Sequence, residues 1–172
     1  MSLGKIDKRI WLTIDKGRVI HTENGERSLF SYVDGRLEDI YKCIRYIKGS
    51  HVPIWVINMR SEEGELYSIS FSYSSGTFKS IILALASEEE LTTDTFIRIE
   101  PYKKGQYTNV MIFSDGVKLD WVIKQLPPLR TVIVDGKPVK DDSERMRTIG
   151  GYVDLILKRL KGVYPSLNKR YK

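Results

Sequence analysis

Residues 66–73, Leu-Tyr-Ser-Ile-Ser-Phe-Ser-Tyr, constrain the fold more than any other segment of the chain. Tyr67, Ile69, Phe71 and Tyr73 alternate with Ser68, Ser70 and Ser72. Successive side chains of a strand point to opposite faces, so this is a strand with one large apolar face and one small polar face. Tyr67 and Tyr73 share the face of Ile69 and Phe71, which reads them mainly as core.

The same period recurs upstream. Ile10, Leu12 and Ile14 alternate with Trp11, Thr13 and Asp15; Lys16-Gly17 breaks the run and Arg18–His21 resumes it. Asn24-Gly25 is a turn signal. A second extended region covers Leu29–Val33 and Leu37–Ile47, with Asp34-Gly35 between them as a tight turn or a bulge in one bent strand. In its second half Ile40, Lys42, Ile44 and Tyr46 face one way; Tyr41, Cys43, Arg45 and Ile47 face the other. Pro53–Met59 is the next strand, and it pairs with residues 66–73 across Glu62-Glu63-Gly64. Trp55, on the face of Ile57 and Met59, reads as core or rim, and Arg60 as exposed.

At Ser74-Ser75-Gly76 the period changes. Phe78, Ile81, Ile82 and Leu85 lie at helical spacing behind a serine able to cap, which predicts a short helix over Thr77–Ala86. Strands Thr95–Tyr102 and Tyr107–Ser114 follow, joined by Lys103-Lys104-Gly105-Gln106, with a further short strand at Val117–Trp121. Pro127-Pro128 marks a boundary. Residues 132–139 read as a hairpin with Asp135-Gly136 at its tip. Asp141-Asp142-Ser143 then starts a helix with an apolar stripe of Met146, Ile149, Val153, Ile156, Leu157 and Leu160. Gly150-Gly151 weakens its middle by ~1 kcal/mol per glycine relative to alanine. Gly162 stops it, and a tail expected to be mobile follows.

Three extended regions, a short helix and two more strands is the chain order of an OB-fold. The expected fold is therefore mainly β: a five-stranded Greek-key barrel with a helix between strands 3 and 4, plus a C-terminal hairpin and helix. The barrel domain would span residues 5–122. Residues 123–172 would form an extension packed on it. The segments Gly17-Arg18-Val19-Ile20, Glu65-Leu66-Tyr67-Ser68, Tyr73-Ser74-Ser75-Gly76 and Arg98–Gly105 give the chain a pattern over roughly residues 5–160. That pattern resembles the small OB-fold single-stranded DNA-binding proteins of bacteriophages and mobile elements. The resemblance implies sequence-nonspecific binding of single-stranded DNA in replication, recombination or repair. It departs from the pattern of many bacterial relatives at the end of the chain, which reads Asn168-Lys169-Arg170-Tyr171-Lys172 where they carry an acidic tail. Recruitment through such a tail is not implied.

The charge is unevenly placed. The chain carries 28 Lys+Arg against 22 Asp+Glu, a net +6. Residues 144–172 hold eight basic and two acidic residues, so the whole surplus lies there and the first 143 residues are neutral. A binding groove on the barrel must then come from sorting charges onto different faces. Single-strand binders combine such a groove with aromatics on which bases stack. In the strand at 95–102, Ile97 and Ile99 point inward, so Phe96, Arg98 and Tyr102 point outward beside Lys103 and Lys104. In the next strand Val110 and Ile112 are inward, which turns Tyr107, Asn109, Met111 and Phe113 outward. Trp11, Tyr41, Arg45 and Arg60 complete the candidate nucleic-acid-binding set.

Catalysis finds little support. There is no GxxxxGK[ST] loop and no GxSxG elbow. Asp94, Glu100 and Lys103 resemble a nuclease carboxylate–lysine set, but strand alternation puts Glu100 and Lys103 on opposite faces. Cys43 is the sole cysteine, and His21 and His51 are the only histidines, so no disulfide, cysteine-based zinc cluster, metal site or other cofactor is expected. The Glu88-Glu89-Glu90 run reads as a solvated helix end. Met1-Ser2-Leu3-Gly4-Lys5 has no apolar signal region and no apolar run approaches a membrane span. The expected location is cytoplasmic, in a bacterial cell or a phage-infected host. The alternatives for the same aromatic face are single-stranded RNA or a protein partner, a second copy included.

Overall fold

The computed structural model describes residues 9–120 and 126–162 of the chain. The alternating runs become strands β1 (Arg9–Asp15), β2 (Arg18–Glu23), β3 (Glu26–Phe30), β4 (Val33–Ile47), β5 (Ser50–Arg60) and β6 (Leu66–Ser72), but the stretch expected over Leu29–Val33 is divided: Ser31 and Tyr32 connect β3 to β4. Helix α1 (Gly76–Ala86) follows, then β7 (Phe96–Lys104), β8 (Tyr107–Ser114), the short β9 (Val117–Lys118), β10 (Arg130–Val134), β11 (Lys137–Asp141) and α2 (Ser143–Leu160). The Asp34-Gly35 dipeptide is not a turn. It lies inside β4, and the bulge of that strand comes just after it, between Leu37 and Asp39. Trp121 and the tail after Gly162 lie outside the described residues.

The five-stranded barrel does not form. Nine strands make one mixed sheet in the order β3-β2-β1-β6-β5-β4-β7-β8-β9, open at β3 and β9, and β10–β11 is a separate hairpin. The reason lies at the N-terminus. Residues 9–30 fold into a three-stranded meander whose β1 runs parallel to β6, so this meander lengthens the sheet beyond β6 instead of closing it. Strands β4 to β7 do trace a Greek key: three consecutive antiparallel strands, with β7 returning after α1 to lie beside β4. The sheet curls until the β1–β2 turn touches the β7–β8 hairpin. The Gly17 amide donates to Thr108 Oγ1 at 3.1 Å.

The core fills the inside of this curl. Ser75 caps α1 by accepting from the Phe78 amide at 3.1 Å. The helix sits between sheet and α2, so every residue from Ile81 to Ala86 is buried. Phe78 stacks on Trp55 at 4.9 Å. Ile57, Met59, Ile69, Ile97, Ile99 and Ile112 come from the sheet face toward it, and Met146, Ile149, Val153, Ile156 and Leu160 from α2 join the same cluster. The C-terminal helix is thus part of the main core. Arg159, 1% exposed, closes the joint by donating to the Ala86 carbonyl at 2.6 Å and the Glu88 carbonyl at 3.1 Å, just where α1 runs out of internal partners.

Candidate nucleic-acid interface

Paired residues on neighbouring strands point to the same side of a sheet, so the register decides which candidates share a face. Trp11 pairs with Ser68 and Ser68 with Asn58; Arg60 pairs with Arg36 and Arg36 with Phe96. Arg98 pairs with Phe113, Tyr102 with Asn109 and Lys104 with Tyr107. Tyr41 and Arg45 alternate with the buried Ile40 on β4. Ten of the eleven candidates therefore fall on the face turned away from α1. Lys103 is the exception: it pairs with Thr108 on the other side, and Gly17 packs against its backbone.

Trp11 is the centre of one half of this face. It is 39% exposed, and two guanidinium groups lie over its ring, Arg9 at 5.2 Å and Arg45 at 5.1 Å. Arg45 stands on β4, with β6 and β5 in between. The residues on this face of those two strands include Ser68 and Ser70 on β6, and Val56 between Ile54 and Asn58 on β5. Ser68 is fully buried and donates to Asn58 Oδ1 at 2.7 Å. The serine stripe thus gives a low floor over which large side chains meet. Tyr41 is half-buried beside it.

The other half lies on β7 and β8. Arg98 stacks over Tyr32 at 4.1 Å and holds Asp34 at 3.3 Å. Phe96 and Phe113 are half-buried, whereas Tyr102, Lys104 and Tyr107 stand out, the last 75% exposed. Arg60 departs from its expected exposure. Its guanidinium is clamped by Glu38 at 3.0 Å and donates to the Gly64 carbonyl, so its charge is matched locally.

Arg9, Tyr32 and Phe30 belong to this region without having been singled out in the sequence. Arg9 carried a signal, since it precedes Trp11 by two on the same strand. Tyr32 falls within the extended stretch expected over Leu29–Val33, but it lies in the connection between β3 and β4. Together with Trp11 and Tyr67 these residues line a cavity of about 570 Å³ where the sheet fails to close. Burial first, then the charges of Glu65, Glu63 and Asp34, hold the Tyr67 hydroxyl above its ordinary pKa, partly offset by a hydrogen bond with Ser61. Tyr67 is neutral there.

Among the described residues no group of His, Cys, Asp or Glu could hold a metal ion, and no helix is long and apolar enough to cross a membrane. No protein-family model matches the chain, and neither a curated protein nor a solved structure matches it.

Proposed function

We propose that this protein binds single-stranded DNA without sequence preference, on the sheet face turned away from α1, as an OB-like domain. The observation that carries the reading is Trp11, an exposed indole with two guanidinium groups gathered over it. A base stacks on such a ring whatever its identity, at ~1–3 kcal/mol per base, and the neighbouring arginines meet its phosphates. Tyr102, Lys104 and Tyr107 extend the same chemistry along β7 and β8, and Arg98 with Tyr32 provides a second cation–aromatic pair. The OB-like component is the Greek key β4–β5–β6–β7, with α1 between its third and fourth strands. Replication or repair of phage or plasmid DNA is the setting that fits such a binder. The test is fluorescence titration with oligo-dT at low salt. Saturable quenching that weakens as salt rises supports the reading; the absence of binding at low salt rejects it. Matched RNA oligomers decide between the two nucleic acids.

A second reading, association with a protein or another copy, is favoured by the β10–β11 hairpin. Val132, Ile133, Val134 and Val139 are all exposed there, Ile133 at 69%. A lone two-stranded hairpin has marginal stability in water, so an apolar one gains from a partner. Sedimentation in high salt separates the readings: a salt-resistant oligomer without oligonucleotide affinity favours this one.

A further inference from the structure

We propose that the groove between α2, strands β4 and β5 and Tyr73 just past β6 is a phosphate-binding site, taking a phosphomonoester or a strand phosphodiester. The groove has a volume of about 660 Å³. Gly150 and Gly151 border it from the middle of an 18-residue helix. Crowding does not require glycine at either position, because a Cβ there would meet no atom within 4 Å. The pair instead keeps one wall of the groove bare, against helix propensity.

Trp55 forms part of the floor. It is 6% exposed, stacked between Phe78 and Tyr73, and its indole Nε1 is buried without a hydrogen-bond partner among the described residues. A buried N–H without an acceptor is costly, and native structures leave few of them. What this donor lacks is an oxygen. Two cations, Lys42 and Arg147, share the lining of the groove with it. Arg147 makes no ion pair among the described residues, and Lys42 Nζ lies over the Tyr73 ring at 5.6 Å. Ser143, the first residue of α2, also borders the groove, so the positive end of the helix dipole is close by. Asp154 is the single carboxylate on the lining. Those at the start of α2 are already engaged: Asp142 by Ser74, Glu144 by Arg130 and Asp141 by Ser143.

The donors come from β4, β5 and α2, so the ligand must offer oxygens in several directions, as a tetrahedral phosphate does. The indole nitrogen is buried in the structure, so binding as proposed requires side chains at the groove to move aside, and the bare Gly150-Gly151 wall leaves space for that. The groove also joins the face described above. Tyr41 lines it, and β7 pairs with β4 only over residues 33–36, which leaves the later edge of β4 without a strand on that side. A DNA strand passing Arg45 can turn around that edge. The phosphodiester form of the proposal rests on the DNA-binding reading; the phosphomonoester form does not.

Nitrogen-15 spectra of the full chain test it through the tryptophan indole signals. The Trp55 signal is the one lost in Trp55→Phe. Inorganic phosphate, dTMP and a dT12 oligomer are titrated in turn. The expected result is a saturable shift of the Trp55 signal, with affinity reduced about tenfold in Arg147→Gln, the loss of one charge-assisted contact. Gly150→Ala with Gly151→Ala should raise the melting temperature through helix propensity while weakening the same shift. A shift with dT12 far below the concentration needed for dTMP makes the phosphate that of a strand. A shift with phosphate and dTMP alone makes it a free phosphomonoester. A Trp55 signal that none of the three moves, or that moves identically in Arg147→Gln, overturns the proposal. Failure of the DNA-binding reading shows separately, as a Trp11 signal that ignores dT12.

Discussion

The Trp11 ring and the Arg45 guanidinium lie 5.1 Å apart although two strands separate the strands that carry them. Between them lie short side chains on β6, Ser68 and Ser70, over which the long Arg45 side chain reaches the ring. Trp11→Ala should weaken dT12 binding by ~1–3 kcal/mol, the value of one stacked base. Arg45→Ala should weaken it less at high salt than at low. A double-mutant cycle should return a coupling of about 0.5–1 kcal/mol. Strictly additive losses would mean that the two side chains meet in the protein but not in the complex.

Lys103 and Lys104 are neighbours in sequence and opposites in the sheet. Lys104 shares the face of Tyr102 and Tyr107, and Lys103 turns toward the β1–β2 turn. Lys104→Gln should reduce the salt slope of oligonucleotide binding by about one contact, and Lys103→Gln should leave it unchanged. Equal effects would place the DNA around the edge of β7 and not on one face.

How far the sequence revealed this arrangement depends on the range of the interaction concerned. The inward places of Ile97, Ile99, Val110 and Ile112 follow from a period of two, and the same period set Phe96, Arg98, Tyr102 and Phe113 outward. Helix α1 and its Ser75 cap follow from local chemistry as well. The failure of barrel closure does not. It depends on whether residues 9–15 pair with β6 and leave the β8–β9 end of the sheet open, a choice between distant strands that no local pattern encodes. The local charge match of Arg60 has a similar origin, since Glu38 lies at the bulge of β4, which no local pattern reveals. Tyr32 is expected in an extended stretch over Leu29–Val33 but lies in the connection between β3 and β4, where periodicity does not set its direction.

Gly17 marks the place where the curled sheet meets itself. Its φ is +74°, and a Cβ there would lie 2.6 Å from the Lys103 amide nitrogen. Gly17→Ala therefore suffers both an unfavourable backbone and a clash with main chain that cannot turn aside. A loss of about 1–3 kcal/mol in urea unfolding is expected. Gly25, with similar φ and open space around it, should lose less on the same change, since only the backbone effect remains. Equal losses would show that the contact of the β1–β2 turn with β7 contributes nothing.

Asp141 accepts from the backbone and the side chain of Ser143, and these bonds, backbone first, hold its carboxyl below the ordinary value of 3.8. A depressed pKa in the folded state means stability that is present above that ordinary value and lost as pH falls through the folded one. The melting temperature of Asp141→Ala should thus lie below that of the unchanged protein near neutrality and converge with it in acid. A gap that persists at the lowest pH would show that the carboxylate charge is not what steadies the start of α2.

Arg159 is the one basic residue of the C-terminal surplus that the core has absorbed among the described residues. Its neighbours Lys158 and Lys161 point elsewhere, while Arg159 is 1% exposed against the end of α1. Arg159→Ala leaves the Ala86 and Glu88 carbonyls without their donor and opens space between the helices. A loss of about 2–3 kcal/mol is expected, since hydrogen bonds to a charged donor are lost and buried acceptors stay unmatched. Because α2 also walls the proposed phosphate groove, the same variant should weaken the Trp55 response, whereas the Trp11 response to dT12 should survive wherever the protein remains folded. Loss of both responses together in folded protein would mean that α2 holds the whole sheet in shape, and that the two sites are not independent.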